Sequence, residues 1–236
     1  MKPVILIPAR MASTRLPGKP LADIAGKPMI VRVWEQAVAA GVGPVVVAAA
    51  EREIADAVEA AGGRAVLTAP DLPSGSDRIH AALKNIGGGH DVVVNLQGDL
   101  PALDPAYVRA VVEALPGADI ATLAAGIDDP ADNDNPNVVK PVVAWQGDKG
   151  RALYFTRVRA PYGEGPLFHH VGIYAYTREA LARFVALPPS PLERREKLEQ
   201  LRALEAGMTI AVARVDKVPL SVDTPEDLEK AKAWFR

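Results

Sequence analysis

An α/β fold, with a mostly parallel, Rossmann-like sheet flanked by helices, is predicted by three observations. Short β-branched runs alternate with helical stretches through the first half of the chain, helix-stop and helix-start residues fall between them, and 236 residues suffice for a substantial core. In order, the pattern gives a strand at 4–8, a helix at about 29–40, a strand at 44–49, a helix at about 52–61 and a strand at 64–68. A helix at about 76–86, a strand at 91–96, a helix at about 105–115 and a strand at 119–125 continue the series. Val4 to Ile7 has no polar interruption, as a strand buried on both faces requires. Gly41 and Gly62 end two helices, and Asp104-Pro105 opens another. Such alternation implies right-handed βαβ units.

From about residue 128 the rhythm changes. A turn-rich run from Asp128 to Asn137 leads into two strand-like segments, Val138–Trp145 and Ala152–Thr156, whose separation by Gln146-Gly147-Asp148-Lys149-Gly150 predicts an antiparallel hairpin. A Gly- and Pro-rich stretch (Pro161 to Pro166) precedes a strand at 171–176, then helices around 178–186 and 191–206 and a strand near 209–214. Thr224-Pro225, followed by acids, opens a last helix. The chain reads as one domain, 1–236, with an inserted β lobe at about 128–176; no repeat or low-complexity linker divides it.

Composition narrows the function class. With 27 Lys and Arg against 29 Asp and Glu, bulk charge offers no nucleic-acid or membrane surface, so any basic site is local. The absence of cysteine excludes disulfides, thiolate nucleophiles and Cys-ligated zinc, and fits a reducing compartment. The first residues lack a secretory layout and no apolar run approaches the ~20 residues of a membrane span, so a cytoplasmic location is expected.

Chemistry concentrates just past the first strand. Arg10, Arg15 and Lys19 crowd one loop, where an open α/β sheet binds its ligands, and Ala9, Ala12, Ser13 and Gly18 keep the backbone accessible, as a phosphate cradle requires. The string is neither a Walker loop nor a dinucleotide glycine triplet. It suggests a nucleoside triphosphate, with a solvated basic turn as the alternative. Asp99, delivered by the strand before it, is the strongest candidate ligand for a hard ion such as Mg²⁺; Asp223 is its candidate partner or else a helix cap. Ser74-Gly75-Ser76-Asp77-Arg78 opens a helix whose free amides suit a base edge or a phosphate, or simply caps it. His169-His170 has no third metal ligand at useful spacing and fits a hydrogen-bond donor to a sugar. Arg157 and Arg159 either clamp a carboxylate or are solvated edge charges. The 191–206 stretch, with Leu198, Leu201 and Leu204 at helical spacing, reads as a charged, solvent-facing helix.

These segments in this order resemble the cytidylyltransferases that activate 3-deoxy-D-manno-octulosonate (Kdo) for lipopolysaccharide biosynthesis. The resemblance is carried by Ile7–Pro20 (IPARMASTRLPGKP), Ser74–Arg78, Gln97–Asp99, Asn135–Asn137, Ala152–Arg157, His170–Tyr174, Pro189–Glu193, Leu198–Arg202 and Val222–Leu228, nearly end to end. It implies a fold of the nucleotide-diphospho-sugar transferase type, with a small inserted antiparallel dimerisation lobe, and the transfer of CMP from CTP to Kdo with release of pyrophosphate. By position, it implies that Arg10, Arg15 and Lys19 hold the triphosphate and act with Asp99 in catalysis. It implies further that Ser74, Arg78 and Gln97 meet the nucleotide or sugar, that Asp99 and Asp223 ligate Mg²⁺, and that Arg157, His170, Tyr174, Glu199 and Gln200 contact the sugar acid. CTP, a sugar acid and a second copy of the chain are the implied partners, with neither nucleic acid nor membrane. Two departures stand out: Leu100 follows Asp99 where the family usually has Glu, and Ala48-Ala49-Ala50 lacks the acid that usually ends that strand. They bear on the substrate more than on the reaction and keep 8-amino-Kdo open; a sialic acid is the other alternative sugar, and a non-catalytic nucleotide-sugar-binding protein the alternative of another class.

Overall fold

The computed structural model describes residues 1–13 and 15–235, so Thr14 of the cation loop lies outside the described residues. In chain order the elements are β1 (Pro3–Ala9), β2 (Asp23–Ile24), β3 (Lys27–Pro28), α1 (Met29–Ala39), β4 (Val45–Ala49), α2 (Arg52–Ala60), β5 (Arg64–Leu67), α3 (Gly75–Ile86), β6 (Val92–Asn95) and α4 (Pro105–Ala114). There follow β7 (Ile120–Gly126), β8 (Lys140–Gln146), β9 (Lys149–Thr156), β10 (Phe168–Thr177), α5 (Arg178–Ala186), α6 (Pro191–Glu196), α7 (Leu201–Glu205), β11 (Ile210–Val215) and α8 (Pro225–Trp234). Two compact units result, Met1–Arg109 with Pro219–Arg236, and Ala110–Val218. The α/β class is the one the alternation implies. No helix among the described residues is long and apolar enough to cross a membrane.

In the first unit four parallel strands lie in the order β5-β4-β1-β6. Val4 to Ile7 of β1 is fully buried, as its unbroken apolar run requires. Helices α1 and α2 bury Met29, Ile30, Val33 and Ala37, and Ile54, Ala55 and Val58, at the spacing of one helical face. The C-terminal segment returns to this unit: Val222 and Ala231 pack with Ile24 and Met29, and Leu16 of the cation loop joins them. The loop is thereby anchored at an apolar residue between its cations.

In the second unit β10 pairs antiparallel with β7, β7 parallel with β11, and β11 antiparallel with β9, which pairs antiparallel with β8. The hairpin expected around residues 146–150 is tighter than its sequence suggests, with Gln146 opposite Lys149 and only Gly147 and Asp148 in the turn; Gly147 holds a positive φ of 66°. It continues the sheet through β11, inside a unit that reaches beyond 128–176 on both sides.

The expectation of one helix over 191–206 is corrected. Helix α6 stops at Glu196, Lys197 adopts a left-handed conformation (φ 57°, ψ 46°), and α7 begins at Leu201. Arg157 supplies the reason: its Nε donates to Glu196 O at 2.7 Å and its Nη2 to Lys197 O at 3.4 Å, taking carbonyls that the next helical turn would use. The dense charge is not all solvated either, because Arg202 Nε donates to Glu193 Oε2 at 2.8 Å and both side chains are nearly buried.

Candidate active site

An open cleft of about 390 Å³ lies in the first unit. Because β1 and β6 are parallel neighbours, the segments that follow them leave the sheet side by side, bringing Arg10, Arg15 and Lys19 to the same cleft as Gln97 and Asp99. Gly98 is needed there: a Cβ would lie 2.9 Å from Pro8 O. The start of α3 contributes Ser74, Gly75 and Arg78, and the segment before α8 contributes Asp223.

Two carboxylates converge on one point. Lys19 Nζ lies 2.9 Å from Asp99 Oδ2 and 3.0 Å from Asp223 Oδ1, and Arg15 Nη2 lies 3.3 Å from Asp223 Oδ2. A backbone bond holds the two acids together, Val222 N–H donating to Asp99 O at 2.9 Å. The choice between ligand and cap at Asp223 falls against capping, since Thr224 is the N-cap of α8, its Oγ1 accepting from Asp227 N while Asp227 reaches back. Burial opposes the charge on Lys19, but Asp99 and Asp223 outweigh it and raise its pKa, so the ammonium is held charged.

A divalent ion fits this donor set. Two carboxylates that already share one cation have the chemistry a hard divalent ion such as Mg²⁺ prefers, and among the described residues no group of three or more His, Cys, Asp or Glu gathers to hold a metal.

Three further polar groups line the cleft with other partners. The Ser74 hydroxyl caps α3, accepting from Asp77 N at 3.2 Å and donating to Asp77 Oδ2 at 2.7 Å. Arg78 is buried: its Nη1 donates to Thr68 Oγ1 at 2.6 Å and Ala69 O at 3.0 Å, and its Nη2 to Pro70 O at 3.2 Å. Burial lowers its pKa. It braces the connection that carries Ser74 toward the cleft. Gln97 Nε2 makes a long 3.5 Å contact with Asn95 Oδ1, and Arg10 stands exposed at the mouth.

Sequence reasoning missed Glu51, whose Oε2 accepts Met11 N–H at 2.9 Å and so pins the cation loop to the start of α2. Its signal was the acid directly after Ala48-Ala49-Ala50, one step beyond where the family pattern expects one. Leu100, the other departure, is buried.

Of the residues expected to meet the sugar acid, Gln97 lies in the first unit, whereas Arg157, His170, Tyr174, Glu199 and Gln200 lie in the second. His170 and Tyr174 share β10, with ring centroids 5.5 Å apart. Glu199 and Gln200 lie in the turn between α6 and α7, and Glu199 pairs with Arg202 at 3.9 Å. Arg157 braces that turn, with Nη1 also donating to Pro136 O at 2.9 Å; the Glu196 carboxylate answers by accepting Thr156 Oγ1 at 2.9 Å and Arg157 N at 3.0 Å. Lys140, fully buried and also missed, donates to Asn135 O at 2.6 Å and to Arg157 O at 3.3 Å. Arg157→Ala is therefore expected to destabilise the fold by about 2 kcal/mol, measured by urea unfolding. Unchanged stability with weakened sugar binding would place the guanidinium on the substrate instead.

A parallel-stranded α/β unit that presents clustered cations and paired carboxylates beyond its strand ends is the framework of a nucleotidyltransferase. Residues 4–210 match the family described as cytidylyltransferase. A 3-deoxy-manno-octulosonate cytidylyltransferase of Parvibaculum lavamentivorans is 69% identical, covering 98% of this chain and 92% of the relative. One of Rhodospirillum centenum is 66% identical with the same coverage. The solved structure of a CMP:2-keto-3-deoxy-manno-octonic acid synthetase complexed with CTP superposes with a TM-score of 0.93 at 42% identity, over 100% of this chain and 98% of that one. The chain belongs to the cytidylyltransferase family.

Proposed function

We propose that this enzyme transfers the cytidylyl group of CTP to the anomeric hydroxyl of Kdo, giving CMP-Kdo and pyrophosphate. The observation that carries the reading is the convergence of Asp99 and Asp223 on one cation, inside a cleft whose mouth holds Arg10 and Arg15. A pure binding module has no use for two acids facing a triphosphate. The relatives and the CTP-bound structure support the choice of nucleotide and sugar.

In the reaction the sugar oxygen forms a bond to the α-phosphorus as the bond to pyrophosphate breaks in line. Arg10, Arg15 and Lys19 hold the β- and γ-phosphates and stabilise the charge that develops on the leaving group. Asp99 and Asp223 would hold Mg²⁺, which would supply neutralising charge at the phosphoryl group and make the attacking hydroxyl easier to deprotonate. Gln97 and the Ser74 loop face the nucleotide, with Arg78 fixing that loop. Arg157 holds the turn bearing Glu199 and Gln200, which with His170 and Tyr174 form the sugar-acid subsite.

The working form is a cytoplasmic homodimer in this reading. CTP is a cytoplasmic substrate, and exposed Val158 and Tyr162, between β9 and β10, give a second copy apolar surface to cover. Light scattering at twice the chain mass checks the dimer.

CTP-dependent pyrophosphate release, run in parallel with Kdo, 8-amino-Kdo and N-acetylneuraminate, tests the reaction. Release fastest with Kdo is expected; no release with Kdo rejects the assignment. Arg15→Ala is expected to weaken CTP binding about tenfold by calorimetry, the loss of one charge-assisted phosphate contact. Unaltered CTP affinity would return Arg15 to a solvated turn.

A further inference from the structure

The fully buried Thr122 lies in the middle of β7. Val171 pairs with Leu123 and Ala175 with Ala121, so Gly172, Ile173 and Tyr174 together face the one residue Thr122. Such a bulge takes backbone carbonyls out of the ladder. Here the Thr122 hydroxyl reaches them, lying 2.9 Å from Ile173 O and 3.2 Å from Val171 O. It also lies 2.9 Å from His170 Nε2.

A hydroxyl has one proton to give and lone pairs to receive. With the hydroxyl proton given to the bulge, whose two carbonyls only accept, Ile173 O is the closer of the two acceptors. His170 Nε2 must then be the donor in the remaining contact. This selects the Nε2–H tautomer and leaves a lone pair on Nδ1. Burial, and after it His169, push the His170 pKa down to about 3, so the ring is neutral at working pH. Phe155 stacks edge-on at 5.0 Å and keeps the ring from turning freely. In that arrangement Nδ1 of His170 is left able to accept.

We infer that Thr122 is a positioning residue for the sugar-acid subsite: its hydroxyl shapes the β10 bulge bearing His170 and Tyr174, and sets His170 to accept a hydroxyl proton of the sugar at Nδ1. The inference rests on the cytidylyl-transfer reading and adds a cause for selectivity, since a fixed acceptor favours a sugar with a hydroxyl to donate and disfavours an analogue without one.

The test combines ¹⁵N NMR of the histidine rings in the ligand-free protein, assigned by the signal lost in H170Q, with KM for each substrate. Wild type and T122S are expected to show the Nε2–H tautomer. T122V, isosteric but without the hydroxyl, is expected to lose it and to raise the sugar KM about tenfold with the CTP KM within about twofold. T122A serves as the second variant should valine prevent folding. An Nδ1–H tautomer in the wild type overturns the inference. So does an unchanged sugar KM in T122V, a parallel rise of both constants, or failure of T122S to retain wild-type behaviour. Absence of pyrophosphate release by the wild type with Kdo would reject the reaction instead, and the NMR result does not depend on it.

Discussion

Asp99→Ala and Asp223→Ala are each expected to lower turnover by about 10²–10³-fold, while thermal unfolding shows the fold retained. Each change removes one of two carboxylates that meet at a single cation, 2.9 and 3.0 Å from Lys19 Nζ. The backbone link from Val222 N to Asp99 O does not involve either side chain, so the segments stay together. Asp99→Asn keeps the shape and loses the charge, and is expected to fall almost as far as the alanine variant, because a hard divalent ion takes much of its binding energy from anionic oxygen. The measurement is pyrophosphate release at saturating Mg²⁺. Near-normal turnover in either alanine variant removes that residue from the metal site.

Lys19→Met is the second large effect. The ammonium lies between the two acids and beside the expected path of the triphosphate, so its loss has opposite consequences for the two ligands. Turnover is expected to drop about 10²–10³-fold, as a donor to the departing pyrophosphate disappears. Divalent binding in the absence of nucleotide is expected to rise, because methionine offers the carboxylates no competing charge and leaves two like charges close together. Manganese titration followed by electron paramagnetic resonance reads this directly. Unchanged manganese affinity together with lost turnover would mean that Asp99 and Asp223 do not share an ion.

These predictions use residues the sequence had already singled out, but not the relations among them. The cation loop, Asp99 and Asp223 were legible because strand-end position and residue chemistry are local properties. Their mutual neutralisation was not, since Lys19 and Asp223 are 204 positions apart and only the return of the C-terminal segment joins them. Arg78 illustrates the same division: it belongs to a recognisable loop, yet its donors go to Thr68, Ala69 and Pro70.

By itself, the sequence determined the α/β class, the buried strand Val4–Ile7, the helix ends at Gly41 and Gly62, and the inventory of groups suited to CTP and a sugar acid. Hydrophobic period, turn residues and charge act over a few neighbours, so a single chain displays them. Only the tertiary structure decided that α6 ends at Glu196, that Arg157 braces the turn after it, and that Thr122 meets a bulge with His170 above it. In each case a side chain distant in sequence satisfies backbone groups that local propensity would have paired differently. A buried carbonyl takes whichever donor the packed sheet brings within reach, and that choice is made by strand order and register rather than by neighbouring residues.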